Sequence, residues 1–95
     1  MELKDKIIVV TGAASGIGRA MCIRYAAEGA KAVICVDRDE VGAQETAKQI
    51  KSIAIKVDVA SEGQIKAMID RVETEVGPID LFCSNAGISV AGGVE

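Results

Sequence analysis

Three glycines, Gly12, Gly16 and Gly18, lie where a short apolar segment passes into a predicted helix. The apolar segment, residues 7–10, is typical of a buried parallel strand, and the helix is predicted from about Gly16 to Glu28. A helix N-terminus offers unpaired N–H groups and a partial positive charge of roughly half an elementary unit, which favour a phosphate. Glycines let the backbone approach that phosphate closely. The turn therefore indicates a phosphate-binding loop.

The spacing of the glycines narrows the possible ligands. Their pattern is G-x-x-x-G-x-G, whereas the common dinucleotide fingerprint is G-x-G-x-x-G. A nucleoside-triphosphate loop would need Gly-Lys-Ser/Thr, and Gly18 is followed by Arg19 and Ala20. A methyltransferase that uses S-adenosylmethionine would prefer G-x-G-x-G, which the chain lacks. On the glycines alone, a turn without any ligand stays an alternative.

Composition favours an α/β domain without a nucleic-acid role. The 95 residues suffice for one domain, and 49% of them are apolar but only 2% aromatic. Aliphatic residues must therefore fill the core, as in a parallel sheet covered by helices on both faces. The net charge of −3 is dispersed, and stacking aromatics are scarce. Both features argue against nucleic-acid binding.

The three cysteines, Cys22, Cys35 and Cys83, are too widely spaced for a metal site, and the chain has no histidine. We predict no disulfide framework, no zinc site and no other metal site, and interpret these residues as small buried thiols. No segment reaches the ~20 apolar residues of a membrane span. The first residues do not form a secretory signal. The expected location is the cytoplasm, without membrane association.

Apolar runs and turn signals predict four strands alternating with three helices. Ser61 and Gln64 form a potential capping box, and Asp39 is a potential N-cap. An apolar stripe at helical spacing follows Ser61. The remaining predicted elements are a strand at 32–37, a helix at about 40–51, a strand at 53–59, a helix beginning after Ser61 and ending before Gly77-Pro78, and a strand at 80–84.

Right-handed crossovers limit how these elements assemble. They predict a partial three-layer Rossmann-type parallel sheet of strand order 3-2-1-4, with the third helix alone on one face. Ligands bind beyond the carboxyl ends of the strands where the strand order reverses, which is where the glycine turn lies. Strand four would be an unprotected edge, so we expect self-association or pairing with a missing C-terminal half.

Asp37 ends the second strand, where a Rossmann unit places an acidic residue that accepts hydrogen bonds from the adenosine ribose. A 2′-phosphate there would face a like charge, costing about 4 kcal/mol at ~4 Å and an effective dielectric constant of 20. This predicts NAD rather than NADP. Arg38 opposes the preference because it could pair with a 2′-phosphate.

The sequence Thr11-Gly12-x-x-x-Gly16-x-Gly18 after an apolar strand resembles the short-chain dehydrogenase/reductase family. The resemblance spans the chain through Asp37, Asp58-Val59 and Asn85-Ala86-Gly87, although Ser84 replaces a usual asparagine. It implies that Asp58 and Val59 contact adenine, that Asn85 ties neighbouring strands together beside the cofactor, and that Gly87 lets the backbone pass close to the nicotinamide ribose. The residues expected to bind the cofactor are Gly12, Ser15, Gly16, Ile17, Gly18, Asp37, Asp58, Val59, Asn85, Ala86 and Gly87.

The resemblance also implies hydride transfer between a nicotinamide and a carbonyl or alcohol. The family performs it with a serine and a Tyr-x-x-x-Lys pair. The one tyrosine here, Tyr25, is followed four positions later by Gly29, so we assign no catalytic residue. We expect the chain to be the N-terminal NAD-binding half of a truncated domain, inactive alone. The alternative is a non-catalytic interaction module that retains the fold.

Overall fold

The computed structural model describes residues 2–84 and 87–90. Strands and helices alternate up to β4, and a fifth strand follows. The elements are β1 (Ile7–Thr11), α1 (Gly16–Ala27), β2 (Ala32–Asp37), α2 (Glu40–Ile50), β3 (Ala54–Lys56), α3 (Glu62–Glu75), β4 (Leu81–Ser84) and β5 (Gly87–Val90).

The sheet has the order β3-β2-β1-β4-β5, and β1 to β4 are mutually parallel. The predicted order 3-2-1-4 is therefore confirmed. In register, Val10 lies between Cys35 of β2 and Cys83 of β4. Because β1 to β4 are parallel, their C-terminal ends lie along one edge of the sheet. The strand order reverses at β1, and the glycine turn follows directly from this strand.

Alternate residues of the central strands enter two separate apolar clusters, as expected for a sheet buried on both faces. Val9 and Ile34 pack with Met68 and Val72 of α3. The alternate positions of the same strands pack with Cys22 of α1 and Ala47 of α2. The prediction that α3 covers one face alone while α1 and α2 share the other is confirmed for the described residues.

Side-chain caps fix where the helices begin. Ser15, Asp39 and Ser61 are the N-caps of α1, α2 and α3, and each accepts a hydrogen bond from the backbone N–H three residues later. The predicted capping box is only half right, because the Gln64 side chain accepts from Asp58 N at 2.8 Å instead of reaching back to Ser61. The N–H of Ser61 is donated to Asp58 O at 2.9 Å.

The prediction that β4 is an unprotected edge is wrong. Strand β5 pairs antiparallel with it, with Ser84 opposite Gly87 and Leu81 opposite Val90. Antiparallel strands need only a short connection, so a hairpin can follow β4 directly. Gly87 accordingly begins a strand rather than completing an exit turn. The predicted third strand is also too long, because only residues 54–56 pair as a strand.

In the part of the chain that the structure describes, none of the helices is both long and apolar enough to cross a membrane.

Candidate functional site

A cleft of about 670 Å³ opens at the C-terminal ends of the parallel strands. Thr11 ends β1, Asp37 ends β2 and Ser84 ends β4, and all three line the cleft. Asp58 follows β3 and lines it as well. Each of four neighbouring strands therefore brings a polar residue at or just beyond its C-terminal end to the wall of one cleft, as the sheet topology predicts.

The three glycines of the turn differ in whether the fold itself requires a glycine at that position. Gly12 has φ 70°, a left-handed conformation that glycine adopts without strain. A Cβ on Gly18 would lie 1.9 Å from Gly12 O, so this glycine allows α1 to pack against the end of β1. A Cβ on Gly16 would meet no atom within 4 Å. Only Gly16 lacks an internal reason, and it leaves space open at the helix N-terminus.

The N-terminus of α1 keeps two backbone donors available. Ser15 Oγ accepts from Gly18 N at 3.0 Å, and Ser15 O accepts from Arg19 N at 2.8 Å. Among the described residues, the Gly16 and Ile17 N–H groups donate no hydrogen bond to another protein group. The Ile17 side chain beside them is 71% exposed. Two free N–H groups at a positive helix end can bind an anion.

Asp37 holds the glycine turn as well as facing the cleft. Its Oδ2 accepts from Ala14 N at 2.9 Å, and its Oδ1 accepts from Asp39 N at 2.9 Å. The backbone of the same strand also holds the glycine turn, because Val36 O accepts from Ala13 N at 3.0 Å. The carboxylate is thus fixed in orientation, with lone pairs still available for ligand hydroxyl groups.

Asp58 is fixed in a similar way at the other side of the cleft. Its Oδ1 accepts from Ala60 N at 2.9 Å, and its own N–H is donated to Gln64 Oε1 at 2.8 Å. The following residue, Val59, lines the cleft and is 55% exposed. A carboxylate acceptor beside an exposed apolar side chain suits a flat, amine-bearing ring.

The Gln64 contact leads to a small, specific effect on stability. Replacing Gln64 with alanine leaves Asp58 N to be hydrated by water and is expected to lower the free energy of unfolding by about 0.5–1 kcal/mol. Gln64→Glu retains an acceptor and should lose less. Urea denaturation of both variants measures this. Equal losses in the two would contradict a role for the Oε1 acceptor.

The structure brings four of the sequence-predicted residues into the cleft wall: Gly12, Asp37, Asp58 and Val59. Ser15, Gly16, Ile17 and Gly18 are not in that wall but form the N-terminus of α1 next to Gly12. Gly87 lies in β5 and pairs with Ser84 of β4. Asn85 and Ala86 lie outside the described residues.

Sequence reasoning missed several residues of the site. Phe82 and Ser84 face the cleft from alternate positions of β4, and Ile65 of α3 closes it from one side. Thr46 of α2 is fully buried and hydrogen bonds to the glycine turn. The strand alternation of Phe82 and Ser84 offered a usable signal, whereas nothing local marks Thr46.

Tyr25 and the cysteines belong to the core rather than to the cleft. All three cysteines are free and buried, as predicted. Tyr25 Oη lies 3.6 Å from Cys83 Sγ. Burial, assisted by this contact, raises the pKa of Tyr25 to about 12. Tyr25 packs against the cluster of α1 and α2 and does not line the cleft, so it is a packing residue.

Comparison with known proteins agrees with this geometry. The family model described as short chain dehydrogenase matches residues 6–95. The chain belongs to the short-chain dehydrogenase family. It is 38% identical over 95 residues to 3beta-hydroxysteroid dehydrogenase 1 of Eggerthella lenta, covering 95% of this chain and 36% of that protein. It is 33% identical over 97 residues to meso-2,3-butanediol dehydrogenase of Serratia marcescens, covering 99% of this chain and 38% of that protein.

A solved short-chain dehydrogenase relative carries a cofactor. The crystal structure of 3-ketoacyl-(acyl-carrier-protein) reductase from Brucella melitensis, complexed with NADH, superposes with a TM-score of 0.76 at 36% identity. The match covers 82% of this chain and 33% of that one. The matches therefore cover 33–38% of the length of these relatives.

Proposed function

We propose that residues 1–95 are the N-terminal, NAD-binding half of a Rossmann domain in an oxidoreductase. The complete protein would transfer a hydride between a nicotinamide and a carbonyl or alcohol. One observation carries the proposal: the free N–H groups of Gly16 and Ile17 and the fixed carboxylates of Asp37 and Asp58 border the same edge of the sheet. An adenine dinucleotide has a pyrophosphate, a ribose and an adenine that match these three features.

The residues of the site divide among the parts of the cofactor. Gly12, Ser15, Gly16, Ile17 and Gly18 form the turn that would hold the pyrophosphate. Asp37 would accept from the ribose hydroxyls, and Asp58 and Val59 would bind the adenine. Asn85, Ala86 and Gly87 would lie beside the nicotinamide half. When bound, the nicotinamide supplies the hydride acceptor or donor.

We propose NAD in preference to NADP because of Asp37. Its carboxylate is held by Ala14 N and Asp39 N and cannot swing away without breaking both hydrogen bonds. A 2′-phosphate would therefore meet a fixed negative charge. Arg38 also lines the cleft, but it is exposed, and water screens its attraction for a phosphate.

Catalysis would need residues outside this chain. Tyr25 is in the core and is not followed by a lysine four positions later. We therefore propose that the chain binds cofactor without transferring hydride, and that its partner is a C-terminal half with the catalytic groups. The named relatives act on different substrates, so only the cofactor is carried over. Buried free cysteines suit the reducing cytoplasm, where we place the protein.

Titration of the chain with NADH and with NADPH tests the proposal. We expect saturable quenching or shift of nicotinamide fluorescence with NADH, and binding of NADPH weaker by at least about fivefold, which is roughly 1 kcal/mol. Far-UV circular dichroism establishes that the fold is intact. An intact fold without NADH binding would favour the alternative, a non-catalytic interaction module.

A further inference from the structure

Thr46 is a buried polar residue whose contacts join three elements. It lies in α2 and is 0% exposed, and its Oγ1 is 2.8 Å from Ala13 O in the glycine turn. The same oxygen accepts from Arg19 Nε of α1 at 3.0 Å. It also lies 3.2 Å from Gly42 O, one turn earlier in its own helix. Buried polar groups are normally hydrogen-bonded, and the contacts of this hydroxyl indicate that it holds the three elements together as well as filling space.

The hydroxyl proton can serve only one acceptor at a time. Thr46 Oγ1 lies closer to Ala13 O than to Gly42 O. Gly42 O, as a helix carbonyl, can also accept a hydrogen bond from a backbone N–H of α2. Ala13 is itself 0% exposed, so its carbonyl cannot turn to water if Thr46 is removed. Loss of the hydrogen bond to Ala13 O would therefore cost more free energy than loss of the bond to Gly42 O, because Ala13 O would stay buried and unpaired.

Ala13 is held on its other side by the sheet, because its N–H is donated to Val36 O at 3.0 Å. Thr46 and Val36 together fix both polar groups of this residue. Ala13 follows Gly12, whose φ of 70° turns the chain, and precedes the free N–H groups of Gly16 and Ile17. A shift of Ala13 would change the direction of those donors.

We propose that Thr46 is a positioning residue for the pyrophosphate turn. Through Ala13 O it holds the turn in the shape that aims the Gly16 and Ile17 N–H groups outward. It sets the affinity for a dinucleotide without touching the ligand. The proposal rests on the proposed function for its ligand, but its structural part can be tested without one.

Thr46→Val and Thr46→Ser form the decisive pair. Valine keeps the branched shape and removes the hydroxyl, whereas serine keeps the hydroxyl. We expect the valine variant to bind NADH about tenfold more weakly, which corresponds to roughly 1.4 kcal/mol, and the serine variant to regain most of that affinity. Adenosine, titrated by NMR chemical shifts, lacks a pyrophosphate and should bind both variants within about twofold of the unmodified chain.

Val72→Ala is the control for a general loss of stability. Val72 is buried in the α3 cluster on the opposite face of the sheet, so its truncation weakens the core without reaching the turn. We expect NADH binding by this variant to stay within about twofold at a temperature where it is folded. An equal loss of NADH affinity in Val72→Ala and Thr46→Val would overturn the proposal, as would an equal loss of NADH and adenosine.

Amide hydrogen exchange of the ligand-free chain tests the structural part separately. Thr46→Val should speed exchange at Ala13 and Ala14 relative to the core strands, and Thr46→Ser should restore it. If no form of the chain binds NADH, the proposed function fails, and this measurement still decides the inference. Unchanged protection at both amides in Thr46→Val would refute the positioning role.

Discussion

Replacing Gly18 with alanine is expected to lower the free energy of unfolding by about 2 kcal/mol or more and to weaken NADH binding more than tenfold. The added Cβ would lie 1.9 Å from Gly12 O and 2.6 Å from Gly12 C. Both contacts are with backbone, so a change of rotamer cannot relieve them. Alanine gains about 1 kcal/mol of helix propensity over glycine, which is smaller than the cost of this overlap. Urea denaturation and NADH titration measure the two effects.

Gly16→Ala is the matched control for this prediction. A Cβ there meets no atom within 4 Å, so the fold should be unaffected or gain up to about 1 kcal/mol. Its methyl group nevertheless points into the space that we assign to the pyrophosphate, and NADH binding should fall. Gly18→Ala thus reports on internal packing, and Gly16→Ala on ligand access. A Gly18→Ala chain as stable as the unmodified one would show that the contact between α1 and the end of β1 is not required.

The order of the strands and the edge that carries the site were predictable because they follow from chain direction. Apolar runs separated by helices allow few right-handed topologies, and the parallel strands that result bring Gly12, Asp37 and Asp58 to one edge. The same reasoning treated the glycines of the turn as one group. Only the packing of α1 against β1 shows that Gly18 serves the fold while Gly16 leaves room for a ligand.

Contacts between α2 and the turn could not be read from the sequence. Gly42 looks like a weak point in a helix, yet a Cβ there would lie 2.5 Å from the Cβ of Ala14. Thr46 has no local pattern that marks it, because its partners Ala13 and Arg19 are remote in sequence. Helix propensity and apolar periodicity describe each element alone. The residue types at positions 42 and 46 depend instead on how closely α2 packs against the turn.

Asp37→Asn is expected to reduce the preference for NADH over NADPH by about tenfold. The neutral amide removes the like charge that faces a 2′-phosphate and leaves Arg38 as the charged group beside it. It also has one acceptor oxygen where two backbone donors, Ala14 N and Asp39 N, need one each. The free energy of unfolding should therefore fall by about 1–2 kcal/mol, and NADH affinity should fall with it.

The ratio of the two dissociation constants separates the charge from the loss of stability, because both cofactors bind the same weakened fold. Asp39→Asn is the control: it removes an equal charge two residues away, and asparagine caps a helix as well as aspartate, so the bond from Gly42 N to residue 39 is kept. Its NADH-to-NADPH ratio should stay within about twofold of the unmodified chain, since an exposed charge is largely screened. An equal change of the ratio in both variants would mean that net charge, and not the carboxylate of Asp37, selects the cofactor.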